Sequence, residues 1–172
     1  MTTTKPKPYK ISIIGISGSG KSTYARQLSK DMNLPLYHMD SFYWRSGWQE
    51  VSEETWLKQE AEIIAKDKWI IEGYICAKSI ERLHQADQII YLDKSGIACC
   101  WNGIKRWWQH RKTPRPELQG SPEKLDFKML KTMLFRAERE EIEEVLLLSG
   151  KDYKTIYNFS TNSGEILNIK PT

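Results

Sequence analysis

Long apolar runs are missing from this chain: nothing in it approaches the ~20 consecutive apolar residues of a membrane-spanning helix. The opening residues, Met1-Thr2-Thr3-Thr4-Lys5-Pro6-Lys7-Pro8, lack the apolar core of a secretory leader and predict a short frayed tail. Cysteine is scarce. Cys76, Cys99 and Cys100 are odd in number and carry no C-x-x-C spacing, which argues against a zinc site or a disulfide framework. They fit a reduced, cytoplasmic compartment better, as small apolar residues. His38, His84 and His110 are too few and too scattered for a metal cluster, and His38 reads as a satisfied core histidine. With a net charge of +4, the whole-chain balance does not demand a nucleic acid partner. Repeats and low-complexity linkers are absent as well, so residues 9–172 are expected to form one domain.

What the chain does contain is a glycine-rich loop in a telling place. Gly15-Ile16-Ser17-Gly18-Ser19-Gly20-Lys21-Ser22 reads G-x-x-x-x-G-K-S, directly after the apolar run Ile11-Ser12-Ile13-Ile14 and before the helical run Thr23 to Leu28. The glycines let successive N–H groups converge on phosphate oxygens. A helix opening near Gly20 adds unpaired N–H groups and the positive end of its dipole. Lys21 can reach the β- and γ-phosphates, and the Ser22 hydroxyl can ligate Mg²⁺. Gly15, Ser17, Gly18, Ser19, Gly20, Lys21, Ser22 and Thr23 are therefore the expected contacts of a nucleoside triphosphate, ATP first.

Beyond the loop, short β-rich runs alternate with longer helical patterns, as in an α/β fold built on a parallel sheet. Strands are expected at Ile11–Ile14, Leu34–His38, Trp69–Ile71, Gln88–Leu92 and Tyr153–Tyr157. Ser52 predicts a helix start, and that helix carries Trp56, Leu57, Ala61 and Ile64. The next long helix is expected over Ile97 to about Gln109, with Trp101, Ile104 and Trp108 as a core-facing stripe. Arg111-Lys112-Thr113-Pro114-Arg115-Pro116 cannot continue it, because proline lacks the donor and clashes with the preceding turn. The pattern then predicts one long helix from Pro122 or Glu123 to about Leu148, closed by Ser149-Gly150. Its glutamates Glu138, Glu140, Glu141, Glu143 and Glu144 read as a solvated face.

With the loop stand the block Tyr37-His38-Met39-Asp40-Ser41-Phe42-Tyr43-Trp44-Arg45-Ser46-Gly47-Trp48, then Trp69-Ile70-Ile71-Glu72-Gly73-Tyr74 and Ile89-Ile90-Tyr91-Leu92-Asp93. The basic stretch running through Gly120-Ser121-Pro122-Glu123-Lys124 completes the set. On these residues the chain, from about Lys10 to Tyr157, resembles the DNA topology modulation, or FlaR-like, proteins. These are small P-loop kinase-like proteins of the adenylate-kinase-like group. The resemblance implies a three-layer α/β/α P-loop fold with a five-stranded parallel sheet in the order 2-3-1-4-5, and a short lid over about 110–122. Two positions depart from the group: Glu72-Gly73 stands where Asp-Gly is usual, and Pro114 adds a proline to the basic stretch.

Phosphoryl transfer requires a second substrate and a charge clamp beside the donor loop. Ligands of open α/β sheets sit outside the carboxyl ends of the strands, where Asp40, Glu72 and Asp93 fall. Asp40 can accept a hydrogen bond from an acceptor hydroxyl or act as its base. With Phe42, Tyr43 and Trp48, the indole of Trp44 can stack on a flat or sugar-bearing acceptor. From the resemblance, Glu72 holds Mg²⁺ with Ser22 or orients the acceptor beside Gly73. Asp93 stands where such kinases carry either a Walker-B-like acid or a helix cap. Resemblance likewise assigns the clamp to Arg106 and Arg111, then Arg115 on the nucleotide. Arg82, from its place after the third strand, is a candidate contact for an acceptor phosphate.

These readings converge on an ATP-dependent kinase acting on a small acceptor, with nucleosides or nucleotides first. A sugar acid or similar metabolite is the second acceptor class, since Asp40 would suit a polyhydroxyl ligand. A nucleotide-gated nucleic-acid-binding regulator of DNA topology is the third reading, resting on the family's label and the basic, tryptophan-bearing segment.

Overall fold

Alternation of β-branched and amphipathic runs resolves, in the computed structural model, into a strand–helix series that covers residues 9–115, 117–118 and 120–157. The expected tail, residues 1–8, and Pro116 lie outside the described residues. In chain order the elements are β1 (Lys10–Gly15), α1 (Lys21–Met32), β2 (Leu36–His38), α2 (Met39–Tyr43), β3 (Trp44–Arg45), β4 (Gln49–Glu50) and α3 (Glu53–Ile64). There follow β5 (Trp69–Glu72), a 3-10 turn (Ala77–Ser79), α4 (Glu81–Gln85), β6 (Gln88–Leu92), α5 (Gly96–His110), α6 (Phe127–Phe135), α7 (Arg139–Ser149) and β7 (Tyr153–Ile156).

Five strands form one parallel sheet in the order β2-β5-β1-β6-β7. This is the expected 2-3-1-4-5 topology; only the numbering differs, because β3 and β4 pair with each other in a separate hairpin. Central strands buried on both faces are apolar throughout, and their alternate residues feed two cores. Ile11, Ile13, Ile70, Ile90 and Leu92 meet Tyr24, Ala25 and Leu28 of α1. On the opposite face, Ile14, Trp69, Ile71, Ile89 and Tyr91 belong to a larger cluster with α3, α5, α6 and α7. The predicted Ser52 cap is present, its side chain accepting the Thr55 N–H at 3.2 Å.

Several expectations fail. The single helix over 123–148 is two, because Asp126 caps α6 and Arg136 adopts a left-handed backbone (φ 55°, ψ 39°) that turns the chain. Arg136 is drawn there by an ion pair with Asp93, which Arg139 joins at 3.5 Å. Asp93 is accordingly not the helix cap; Ser95 takes that role, accepting from the Ala98 N–H. The tryptophan stripe of α5 is also not core: Trp101 is 67% exposed and Trp108 64%. The helix instead buries Cys99 and its glycines, and a Cβ on Gly96 would lie 2.0 Å from the Leu134 carbonyl oxygen. That close approach seats α6 directly on the first turn of α5.

Arg82, the expected acceptor contact, is fully buried inside this framework. Its guanidinium lies 3.1 Å from Glu60 of α3 and donates to the Tyr74 carbonyl at 2.7 Å. It ties α4 to α3 and to the chain after β5 instead of facing a ligand. Removing one member of a buried pair strands the other charge, at a typical cost of about 3–5 kcal/mol. Urea unfolding of Arg82→Ala is therefore expected to show a loss of that order. Paired apolar replacement, Glu60→Leu with Arg82→Met, should recover most of it.

Candidate active site

β1 runs between β5 and β6 and delivers the glycine-rich loop to the carboxyl edge of the sheet. The Ser19 N–H closes the loop on the Ile16 carbonyl at 3.1 Å, and the N–H groups of Thr23 and Tyr24 both bond Gly20 to start α1. Gly20 is the N-cap and brings no side chain to its helix, so the first-turn amides keep their donors for an anion. Gly18 has φ 80°, and a Cβ there would come within 2.5 Å of the Cys99 carbonyl oxygen. Only glycine lets the loop lie this close to α5. Lys21 Nζ donates back to the carbonyls of Gly15 and Ile16 at 2.8 and 3.1 Å, which holds its charge at the mouth of the loop.

Two carboxylates face that charge from neighbouring strand ends. Glu72 ends β5 and is buried, with His38 Nδ1 2.5 Å from its Oε1. Burial pushes its carboxyl up, but the His38 hydrogen bond, the Lys21 charge and a hydrogen bond from Ser22 together outweigh that and hold it below the usual range. Asp40, one residue into α2 after β2, behaves oppositely. Burial raises its carboxyl, the Glu72 charge raises it further, and Lys21, Arg115 and Arg106 offset this only in part. One acid is thus tuned to stay ionised and its neighbour to hold a proton more readily.

Opposite these strand ends, described residues of the segment after α5, among them Arg115, Glu117 and Glu123 to Asp126, line a cleft of about 1380 Å³ beside the loop. The Glu123 N–H bonds the His110 carbonyl at the base of the segment. Glu123 Oε1 lies 2.7 Å from Arg115 Nε and 3.4 Å from Arg106 Nε as an ion pair, while Glu117 lies 3.6 Å from Arg115 and 3.3 Å from Arg26. The β3–β4 hairpin clasps the same segment. Trp48 Nε1 donates to the Pro122 carbonyl at 2.9 Å, and the Gly47 N–H donates to the Gly120 carbonyl at 3.2 Å. Ser121 Oγ donates to the Arg45 carbonyl and accepts from the Trp48 N–H, each at 3.3 Å.

Ser17, Gly18, Gly20, Lys21, Ser22, Thr23, Asp40, Trp44, Glu72, Arg106 and Arg115 all line this cleft, although they come from five separate stretches of chain. Gly15 and Ser19 lie beneath, in the turn of the loop. Arg111 does not join them: it is exposed, stacked over the rings of Trp107 and Trp108. Gly73 also stays outside, packed under α2 where a Cβ would meet that of Met39 at 2.9 Å. Sequence reasoning missed Glu138, which leaves the expected solvated face to accept the Ser17 N–H at 2.6 Å and its hydroxyl at 2.7 Å. The cation pair Arg136-x-x-Arg139 around it is the one local sign that this glutamate starts a new helix at a site. Groups of three or more metal-ligating side chains are absent among the described residues. No described helix is long and apolar enough to cross a membrane, and the three cysteines form no disulfide.

No protein-family model and no curated protein matches this chain by sequence. Solved structures do match in shape. Shikimate kinase from Bacteroides thetaiotaomicron aligns over 92% of this chain and 91% of its own, with a TM-score of 0.57 and 15% identity. Shikimate kinase from Acinetobacter baumannii, solved in complex with shikimate, aligns over 91% and 85%, with a TM-score of 0.52 and 16% identity. The YorR protein of Bacillus subtilis, solved in complex with phosphorylated GDP, aligns over 86% and 85%, with a TM-score of 0.53 and 15% identity. The shared feature is the fold, that of the P-loop kinases.

His38 is the group that distinguishes Glu72 from Asp40, so its removal is measurable. In His38→Phe, carboxyl NMR is expected to show the Glu72 titration moving upward, toward and past the ordinary glutamate range. An unmoved titration would assign the lowering to Lys21 and Ser22 instead.

Proposed function

We propose that this chain is a small-molecule kinase that transfers the γ-phosphoryl group of ATP to a hydroxyl of an acceptor bound between the glycine-rich loop and α2. The observation that carries this reading is Asp40. A carboxylate with a raised proton affinity lies within the field of Lys21, Arg106 and Arg115, at the strand end next to the phosphate loop. A hydrolase needs only a water at that point, whereas a cleft of about 1380 Å³ and an adjoining cavity, both lined by Ser17, Lys21, Asp40 and Trp44, leave room for two substrates. The likeness of fold to P-loop kinases supports the same reading, as does the resemblance to FlaR-like proteins.

The loop amides and the first turn of α1 would hold the donor phosphates, with Gly15 to Thr23 forming the cradle and Lys21 reaching the transferred group. Ser22 and Glu72 fit Mg²⁺: they are hard oxygen donors in contact with each other, and Glu72 is held ionised. Two protein oxygens suffice, because Mg²⁺ keeps waters and takes phosphate oxygens, and when bound it would neutralise charge on the phosphates. Asp40 orients the acceptor hydroxyl and takes its proton. The acceptor oxygen then forms a bond to the γ-phosphorus while the bond from that phosphorus to the bridging oxygen breaks, and ADP leaves with that electron pair. Arg106 and Arg115, presented by α5 and the segment acting as a lid, stabilise the charge on the passing phosphoryl group. The guanidinium of Arg111, exposed on the tryptophans, is not part of this clamp.

Lid chemistry also bears on the alternative of nucleic acid binding. Glu117 and Glu123 pair with Arg106 and Arg115, the two arginines that line the cleft, so these offer phosphates a pocket rather than a broad cationic face.

Phosphoryl transfer from ATP to an acceptor panel is expected to fall by ~10²–10³-fold or more in Lys21→Ala, which removes a charge aimed at the transition state. Asp40→Asn is expected to lower kcat by about 10²–10⁴-fold with ATP affinity little changed. A base must lose its proton to act, so wild-type kcat/KM should rise with pH through a value above the ordinary aspartate range. That limb should vanish in Asp40→Asn. Its persistence there would make Asp40 a binding group only.

A further inference from the structure

Beside the main cleft, a second cavity of about 580 Å³ opens on the other side of Ser17 and Lys21 and shares Asp40 and Trp44 with it. It is walled by Tyr43, Trp44 and Trp56, by Tyr74 beyond β5, and by Glu138 and Glu141 at the start of α7, Glu138 being its N-cap. Its size suits a metabolite rather than a macromolecule. If the chain is a phosphotransferase, and the assignment of an acceptor rests on that reading, the acceptor lies here, in the space between Asp40 and the loop.

The charge of that space is lopsided. Lys78 at the rim is spent on Glu53, 2.6 Å away, and Lys21 belongs to the loop mouth. Asp40, Glu138 and Glu141 remain, and no arginine lines the cavity among the described residues. Arg82, the residue that would have met an acceptor phosphate or carboxylate, is buried against Glu60 instead. Sites built for anions ordinarily present a guanidinium fork. This one presents carboxylates that are held in place: Glu138 by the Ser17 N–H and hydroxyl, Glu141 by a hydrogen bond from the Tyr74 hydroxyl.

The aromatic wall is an independent feature with the same bias. Tyr43 stands edge-on to Trp44 at 4.9 Å and 90°, and edge-on to Trp56 at 6.2 Å and 85°. Perpendicular rings present π-faces in more than one direction, and π-faces attract cations, ammonium groups in particular. Carboxylates and aromatic rings lining one small cavity favour an ammonium over a carboxylate or phosphate.

We propose that the acceptor is a hydroxylated amine, such as an amino sugar or amino alcohol. Its ammonium sits between Glu138, Glu141 and the Tyr43–Trp44–Trp56 wall, and its hydroxyl faces Asp40. Glu138 and Glu141 determine specificity; they reject anionic acceptors, nucleotides and sugar acids included.

Binding and turnover separate this from the kinase reading itself. Tryptophan fluorescence of the full chain is titrated with glucosamine, ethanolamine, N-acetylglucosamine, glucuronate and AMP, and transfer from MgATP to each is followed in parallel. The amines are expected to bind tightest, and Glu138→Gln/Glu141→Gln should weaken them ~10-fold or more while erasing their advantage over N-acetylglucosamine. Should the double variant fail to fold, Glu141→Gln alone carries the same expectation, because Glu141 does not touch the loop. Preference for glucuronate or AMP, or amine binding that survives loss of both carboxylates, overturns the assignment. Amines that bind as expected yet receive no phosphoryl group would overturn the kinase reading and leave the charge preference of the cavity standing.

Discussion

A buried carboxylate in the middle of a sheet edge has to be compensated, and the compensation of Glu72 organises this molecule. Glu72 ends β5, the strand between β1 and β2, where water cannot solvate its charge. His38 from β2, Lys21 from the glycine-rich loop and Ser22 from the first turn of α1 supply what solvent does not. Two segments, β2 and the junction of the loop with α1, are thereby coupled to the end of β5. The same charge then acts on Asp40, lifting its proton affinity and giving two neighbouring acids different work. A metal-holding role needs the ionised one, and a proton-accepting role needs the other.

A second compensation closes the site. Cations concentrated near a phosphate loop would repel each other without anions between them, and Glu117 and Glu123 supply those anions within the segment after α5. Hydrogen bonds from the β3–β4 hairpin then tie that segment to the chain after α2. The Trp48–Pro122 and Ser121–Arg45 contacts connect segments more than seventy residues apart. Under the proposed function, closure over the substrates would depend on both sets of contacts being in place. This coupling is the ordinary means by which such sites exclude water from a phosphoryl group in transit.

Much of this was legible in the chain itself. The loop, its strand and its helix followed from G-x-x-x-x-G-K-S in context, and the sheet order followed from the resemblance and matches the observed topology. Asp40 and Glu72 were legible as strand-end acids because period-two strands of known polarity place their last residues at one edge. What could not be read were the long-range balances. Arg82 is indistinguishable in sequence from a ligand contact until Glu60 is seen beside it. The turn at Arg136 has no glycine or proline to announce it, since its cause is Asp93, forty-three residues away. Periodicity placed Trp101 and Trp108 on one face of α5 but not which face meets the core, and the glycines and Cys99, allowing closer contact, took that side. Glu138 was hidden for the same reason as the turn that presents it.

The central claim is that the glycine-rich loop and Asp40 are two halves of one transfer site, with the donor on one side and a hydroxyl acceptor on the other. Phosphorus NMR of the intact chain with MgATP tests it directly, read with and without hydroxylated amines and nucleosides. The account predicts that loss of the γ-phosphate resonance depends on the acceptor, and that a phosphate-ester resonance grows in step with ADP. ATP consumed to inorganic phosphate at a rate indifferent to every acceptor, or ATP left intact while nucleic acid binds tightly and salt-sensitively, would contradict it.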